Sequence, residues 1–177
     1  MLQMAFLKVR TVVASLMMSA AVAFHFSAQA EDLAAPAGDV MLTVSGDIEM
    51  TNIGAIAAFD QEMLAALPNL TISTTTIWTE GINEYTGVAL KDFLAFLGVE
   101  DGTLRATAIN DYAIEFPVAD GLEDGPLLAY LRNGETMSVR DKGPVWLIFP
   151  FDDEPKFQNE EYYSRSIWQL DRIEIVE

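Results

Sequence analysis

The chain has 177 residues, 27 of them acidic and 10 basic (net charge −17), with one histidine and no cysteine. The histidine, His25, falls in an apolar N-terminal stretch that reads as a removable leader, so the remainder offers neither imidazole nor thiol. That excludes a Ser-His-Asp triad, a thiolate nucleophile, a His or Cys zinc site and a redox dithiol, and it points to binding rather than catalysis.

Taken from the N-terminus, Lys8 and Arg10 precede an apolar run from Thr11 to Phe26, and Ala28-Gln29-Ala30 has the small-x-small form of a cleavage site. Residues 1–30 are therefore expected to be a signal peptide cleaved after Ala30, leaving a periplasmic protein with no segment inserted in the membrane. A core held without disulfides suits that compartment better than an extracellular disulfide scaffold. Both Lys8 and Arg10 leave with the leader and no acid does, so processing makes the protein more acidic. Such a surface repels nucleic acid and anionic lipid, and neither is expected as a partner.

Residues 31–39 (EDLAAPAGD) are small and polar enough to be a flexible arm, and residues 40–177 read as a single domain. Alternation predicts a strand from Val40 to Ser45. A short helix is expected over Phe59 to Leu67, with Asp60 near its start and Pro68 beyond its end. Leu70 to Trp78 is rich in β-branched residues and predicts a strand running into a loop at Thr79-Glu80-Gly81. Leu90, Phe93, Leu94 and Leu97 lie at i, i+3, i+4 and i+7, so a helix is predicted over Ala89 to Leu97, stopped by Gly98. Strands are predicted at Leu104 to Ile109 and Tyr112 to Phe116, joined through Asn110-Asp111. Leu127 to Arg132 and Glu135 to Val139 flank Asn133-Gly134, a strong hairpin signal. Val145 to Phe149 reads as a buried strand and Ser166 to Val176 as the last. The sum is α+β, with several short strands, mainly antiparallel, and two or three short helices.

Five blocks of the chain resemble a known family. Tyr85-Thr86-Gly87-Val88-Ala89-Leu90-Lys91-Asp92-Phe93-Leu94 is similar to the W-x-G-V-x-L-x-D-L-L segment of the sulfite-oxidase-type molybdopterin-binding domain. Ala108-Ile109-Asn110-Asp111-Tyr112 resembles the segment after it. Leu127 to Glu135 matches the family's L-L-A-x-x-x-N-G-E hairpin, Lys142 to Pro150 its G-x-P-x-R-L-x-x-P strand, and Ser166-Ile167-Trp168 its closing strand. In order, they span about Val40 to Val176. The resemblance implies a sulfite-oxidase-like molybdopterin-binding fold of mixed, mainly antiparallel sheets.

One departure decides what else carries over. Family members that hold molybdenum ligate it through a cysteine about a dozen residues before the glycine of the G-V block. Here that region reads Thr74-Thr75-Thr76, Trp146 stands where many members have arginine, and a threonine oxygen is a poor substitute for a soft thiolate. The resemblance thus implies a degenerate exported branch that holds no bound metal. Its members are thought to be pterin-binding regulators of inner-membrane enzymes of cyclic-di-GMP metabolism. The expected partners are a free or reduced pterin and the periplasmic domain of such a signalling protein. The alternative is a molybdopterin-dependent oxidoreductase domain or subunit.

A pterin needs aromatic faces to stack on and polar groups along its N–H and carbonyl edges. The candidate binding residues are Trp78, Thr79, Asn110, Asp111, Tyr112, Arg132, Arg140, Asp141, Lys142, Ser164, Arg165 and Trp168. No catalytic residue and no metal ligand are assigned. Trp78 and Trp168 are open to either a pocket or a core role, whereas Trp146 reads as core. Asn110-Asp111 suits a turn as well as a site, and Arg140-Asp141-Lys142 suits a solvated loop. A phosphorylated pterin would require Arg132, Arg140, Lys142 and Arg165 to converge. The acids Asp152-Asp153-Glu154 and Glu160-Glu161 lack the spacing of a calcium loop and read as solvated.

Overall fold

The structure is a computed structural model that describes residues 33–177. The predicted signal peptide, its cleavage after Ala30, and residues 31 and 32 of the predicted arm lie outside the described residues. Among the described residues, ten strands form two sheets. The first has the order β2 (Ala57–Phe59), β1 (Leu42–Gly46), β10 (Leu170–Val176), β5 (Thr103–Ala108) and β6 (Ala113–Pro117). The second runs β3 (Asn69–Thr76), β4 (Thr79–Ala89), β7 (Leu127–Arg132) and β8 (Glu135–Thr136), with β9 (Trp146–Ile148) also pairing β7. The β1–β10 pair is parallel and every other pair is antiparallel. Four short helices fill the connections: α1 (Gln61–Ala66), α2 (Leu90–Phe96), α3 (Val118–Gly121) and α4 (Glu160–Arg165). No helix among the described residues is long and apolar enough to cross a membrane.

The core follows the apolar pattern. In β1, Leu42 and Val44 point inward and are fully buried, while Thr43 and Ser45 are partly exposed. Helix α2 buries Leu90, Phe93 and Leu94, and Leu97 at its C-cap is buried with them. The Asn133-Gly134 turn joins β7 to β8 with both residues at positive φ, 53° and 81°, the conformation expected of that pair.

Several elements depart from expectation, each for a local reason. Phe59 belongs to β2 rather than to the first helix, because Asp60 is the N-cap and accepts the Met63 N–H at 2.9 Å. The stretch predicted as a loop at Thr79-Glu80-Gly81 opens β4, the longest strand, whose alternation is broken by Gly81, Asn83 and Gly87. Gly87 is required there: a Cβ at that position would lie 2.0 Å from the Leu128 carbonyl oxygen. Strand β8 stops after Thr136, and Val139–Asp141 forms a 3-10 turn instead of continuing it. The last strand begins at Leu170 rather than Ser166, since α4 runs through Arg165 and Gln169 turns the chain at φ 54°.

Residues 33–39 do not behave as the flexible arm their composition predicts. Asp60 accepts the amides of Ala37 and Gly38, each at 2.8 Å, Asn52 donates to the Ala34 carbonyl, and Leu33 packs on the core. A buried carboxylate supplies acceptors that the local sequence does not reveal.

Candidate functional site

Three segments meet around a hollow of about 410 Å³. Trp78 comes from the β3–β4 turn. Ala108, Asn110 and Tyr112 come from the β5–β6 turn, where Asp111 takes φ 65°. Tyr163 and Ser164 come from α4, and Ser166, Ile167, Trp168 and Gln169 from the link between α4 and β10. Helix α4 forms because Asn159 caps it, its side chain accepting the N–H groups of Glu161 and Tyr162, with Glu160 and Glu161 in the first turn.

The walls are set by rings meeting edge to face. Trp78 packs against Trp168 at 5.5 Å between centroids and 68° between planes, and against Tyr163 at 5.9 Å and 88°. Behind them Trp146 is fully buried, touching Trp78, Tyr85 and Trp168, and its indole N–H donates to the Ser166 carbonyl at 3.2 Å. Gln169 holds the floor together. Its N–H donates to the Lys142 carbonyl, its own carbonyl accepts from Ile109, and its side-chain amide donates to Val139. Among the described residues, no charged side chain lines the hollow.

Of the residues expected at the site, Trp78, Asn110, Tyr112, Ser164 and Trp168 line the hollow. The others stand elsewhere. The Thr79 hydroxyl pairs with that of Thr76 at 2.8 Å and lies near the Tyr85 hydroxyl. Asp111 turns toward Arg172 and pairs with it beside a shallow groove on the first sheet. Arg132 and Asp141 pair with each other at 2.6 Å. Arg140 is exposed and has no ion pair among the described residues. Arg165 is held by Glu161 and Asp120, over the ring of Phe116. The four cations therefore do not converge, and the requirement for a phosphorylated ligand is not met.

Lys142 is a special case. Its ammonium lies 3.9 Å from the centre of the Trp168 ring and 5.2 Å from that of Trp146, and it pairs with no carboxylate among the described residues. Burial holds its pKa below the ordinary lysine value, opposed by the nearby charge of Asp141. It backs the indole wall through cation–π attraction.

The threonine triplet does not line the hollow. Thr75 donates its amide and hydroxyl to the Asp152 carboxylate at 2.6 and 2.7 Å, and Thr74 is buried with its hydroxyl accepting the Asp152 amide. The Thr76 hydroxyl accepts from the amides of Trp78 and Thr79. With its hydroxyls so engaged and no thiolate among them, the triplet does not fit a molybdenum centre. Asp152, expected to be part of a solvated acidic loop, instead fastens the end of β3; the Thr75 hydroxyl and amide lower its pKa.

Sequence reasoning missed Ala108, Ile167 and Gln169, whereas the polar and aromatic stretch Tyr162 to Ser166, which contains Tyr163 and Ser166, suits either a ligand rim or a protein contact on sequence alone. The cap signature of Asn159 followed by two glutamates was the signal that could have placed Tyr163 and Ser164 on one helix. Nothing local marks Gln169, whose role comes from its left-handed backbone and three distant partners.

These sheets and helices define an α+β protein with the sulfite-oxidase-like fold. Among solved structures, the chain is similar to the crystal structure of the sulfane dehydrogenase SoxCD from Paracoccus pantotrophus, at a TM-score of 0.56 and 22% sequence identity. The match covers 77% of this chain and 38% of that one, so the protein spans well under half of its structural neighbour. No protein-family profile matches the chain, and no curated protein is significantly similar.

Proposed function

We propose that this chain is a periplasmic, non-catalytic member of a degenerate branch of the sulfite-oxidase-like fold that captures a free or reduced pterin. In this reading the bound form acts on the periplasmic domain of an inner-membrane protein of cyclic-di-GMP metabolism, shifting its equilibrium by the difference in affinity between loaded and empty states. The observation that carries the reading is the hollow itself, with two indoles and two phenols around neutral amides and hydroxyls. A flat, uncharged heteroaromatic ring suits such walls, each stacked pair adding about 0.5–1.5 kcal/mol beyond area burial. Gln169 donates to Val139 through its amide nitrogen, which leaves its Oε1 to accept from an N–H edge. Ser164 donates to Glu161, leaving its oxygen lone pairs for the same purpose. These neutral acceptors serve that edge in place of the candidate carboxylates Asp111 and Asp141, which face other partners.

The test is titration of the purified protein with tetrahydropterin and with oxidised pterin, reading tryptophan emission and thermal unfolding. Binding quenches the indole signal, and ligand at a hundredfold excess over Kd adds about 2.7 kcal/mol of stability. Neither quenching nor a thermal gain at millimolar ligand would falsify the reading.

A further inference from the structure

We propose that β3 is a strand-pairing edge through which two copies of this chain associate, antiparallel and side by side. The five edge strands differ sharply in how they are protected, and β9, three buried residues, offers no free edge. Strand β2 has three residues and β8 has two, with Glu135 in the latter. Strand β6 carries Glu115 and ends on Pro117. These are the devices by which edges avoid pairing with other chains: shortness, charge and proline. Strand β3 has none of them. It runs eight residues, NLTISTTT, with no charged side chain and no proline, and all but Ile72, Thr74 and Thr76 are exposed. In so acidic a chain, this long edge is free of charge.

The backbone groups that would make the contact can be named. Strand β3 pairs with β4 alone. Alternate residues of an antiparallel edge strand turn both N–H and C=O away from the neighbour. The Thr75 amide, which donates to the Asp152 carboxylate, shows which set faces outward. Thr71 and Ser73 belong to the same set, and no backbone bond outside the ladder reaches either among the described residues. The outer end of the strand is closed by Asp152, so pairing is confined to the segment before it.

That segment is complementary to itself. A twofold axis at Ile72 sets Thr71 of one copy against Ser73 of the other, each pair exchanging both hydrogen bonds, while Ile72 faces its own equivalent. Leu70, 41% exposed, lies alongside the seam. A second copy is the fitting occupant because the seam brings no like charges together, although each body is strongly acidic. Repulsion between the bodies opposes association from a distance, and salt screens it. Association is therefore expected to strengthen with ionic strength, the reverse of a charge-driven contact.

The experiment is sedimentation velocity over a concentration series in about 10 mM and about 1 M sodium chloride, where the screening length falls from about 30 to about 3 Å. Dimer is expected at high salt, with slowed exchange of the Thr71 and Ser73 amides as concentration rises. Ser73→Lys abolishes the dimer even though it reduces the net negative charge. Glu100→Gln, the same change of one charge unit at an exposed loop position, leaves the dimer intact. Thr71→Pro removes an outward donor, costs the β3–β4 ladder no backbone bond but only the Thr71–Thr86 hydroxyl pair, and provides a second, uncharged block. Thermal melting of each variant confirms that it is folded. A monomer at every salt, a dimer insensitive to both β3 changes, or protection appearing on another segment overturns the proposal. None of these outcomes depends on whether the hollow binds a pterin.

Discussion

Replacing Trp146 with alanine tests how the space behind the hollow is filled. The side chain is fully buried, lies 5.4 to 6.3 Å from the rings of Tyr85, Trp78 and Trp168, and donates to Ser166. Removing a buried tryptophan costs about 3–5 kcal/mol, through lost transfer energy and an incompletely collapsed cavity. At roughly 2–4 °C per kcal/mol for a domain of this size, the midpoint should fall by about 6–20 °C. Trp146→Phe separates the two parts. It keeps a ring but leaves the Ser166 carbonyl without its donor, and should cost about 1–3 kcal/mol. Thermal unfolding followed by circular dichroism, with urea titration as a second measure, gives both values. The alanine variant should also join new volume to the hollow and let larger heteroaromatic probes bind. A loss below about 1 kcal/mol for Trp146→Ala would show that the indole cluster is not structural, and the account of the wall would fail with it.

Three other outcomes follow from the geometry. Trp78→Ala and Trp168→Ala, at half-buried wall positions, should abolish ligand quenching while leaving a cooperative, folded domain; global unfolding would place both rings in the core. Gly87→Ala should cost about 3 kcal/mol or more, because its methyl would collide with the Leu128 carbonyl at the β4–β7 pairing; a near-neutral melt would refute that. Acid should loosen the molecule at two clasps. The carboxyl of Asp60 is held below its usual 3.8 chiefly by the amides of Gly38 and Met63, and that of Asp152 by the hydroxyl and amide of Thr75. Because both folded values are depressed, their stabilisation is present above about pH 4 and is lost as pH falls through the folded values. Asp152→Asn should flatten that part of the stability profile, which a pH series of thermal melts would show.

Much of the fold was legible where a local rule suffices. The apolar stripe of α2, the alternation of β1, the Asn133-Gly134 hairpin and the buried run at β9 each follow from periodicity or turn chemistry acting over a few residues. Strand β4 was hidden because its glycines and Asn83 look like turn residues, whereas Gly87 is there for the close approach of β7. Within the site, Trp78, Asn110, Tyr112, Ser164 and Trp168 were legible as aromatic or polar residues at strand ends. The basic residues were not, since a sequence does not say which carboxylate a cation meets: Arg165 meets Glu161 and Asp120, and Arg132 meets Asp141.

Composition by itself determined that no imidazole or thiol side chain follows His25, and local pattern determined the α+β class with most of its strands. Tertiary structure alone decided the parallel pairing of β1 with β10, the docking of residues 33–39 on Asp60, and the placing of Trp146 behind the hollow with Lys142 against the Trp168 ring. Those depend on contacts between residues far apart in the chain, where shape, burial and the search for hydrogen-bond partners outweigh any preference of the neighbouring sequence.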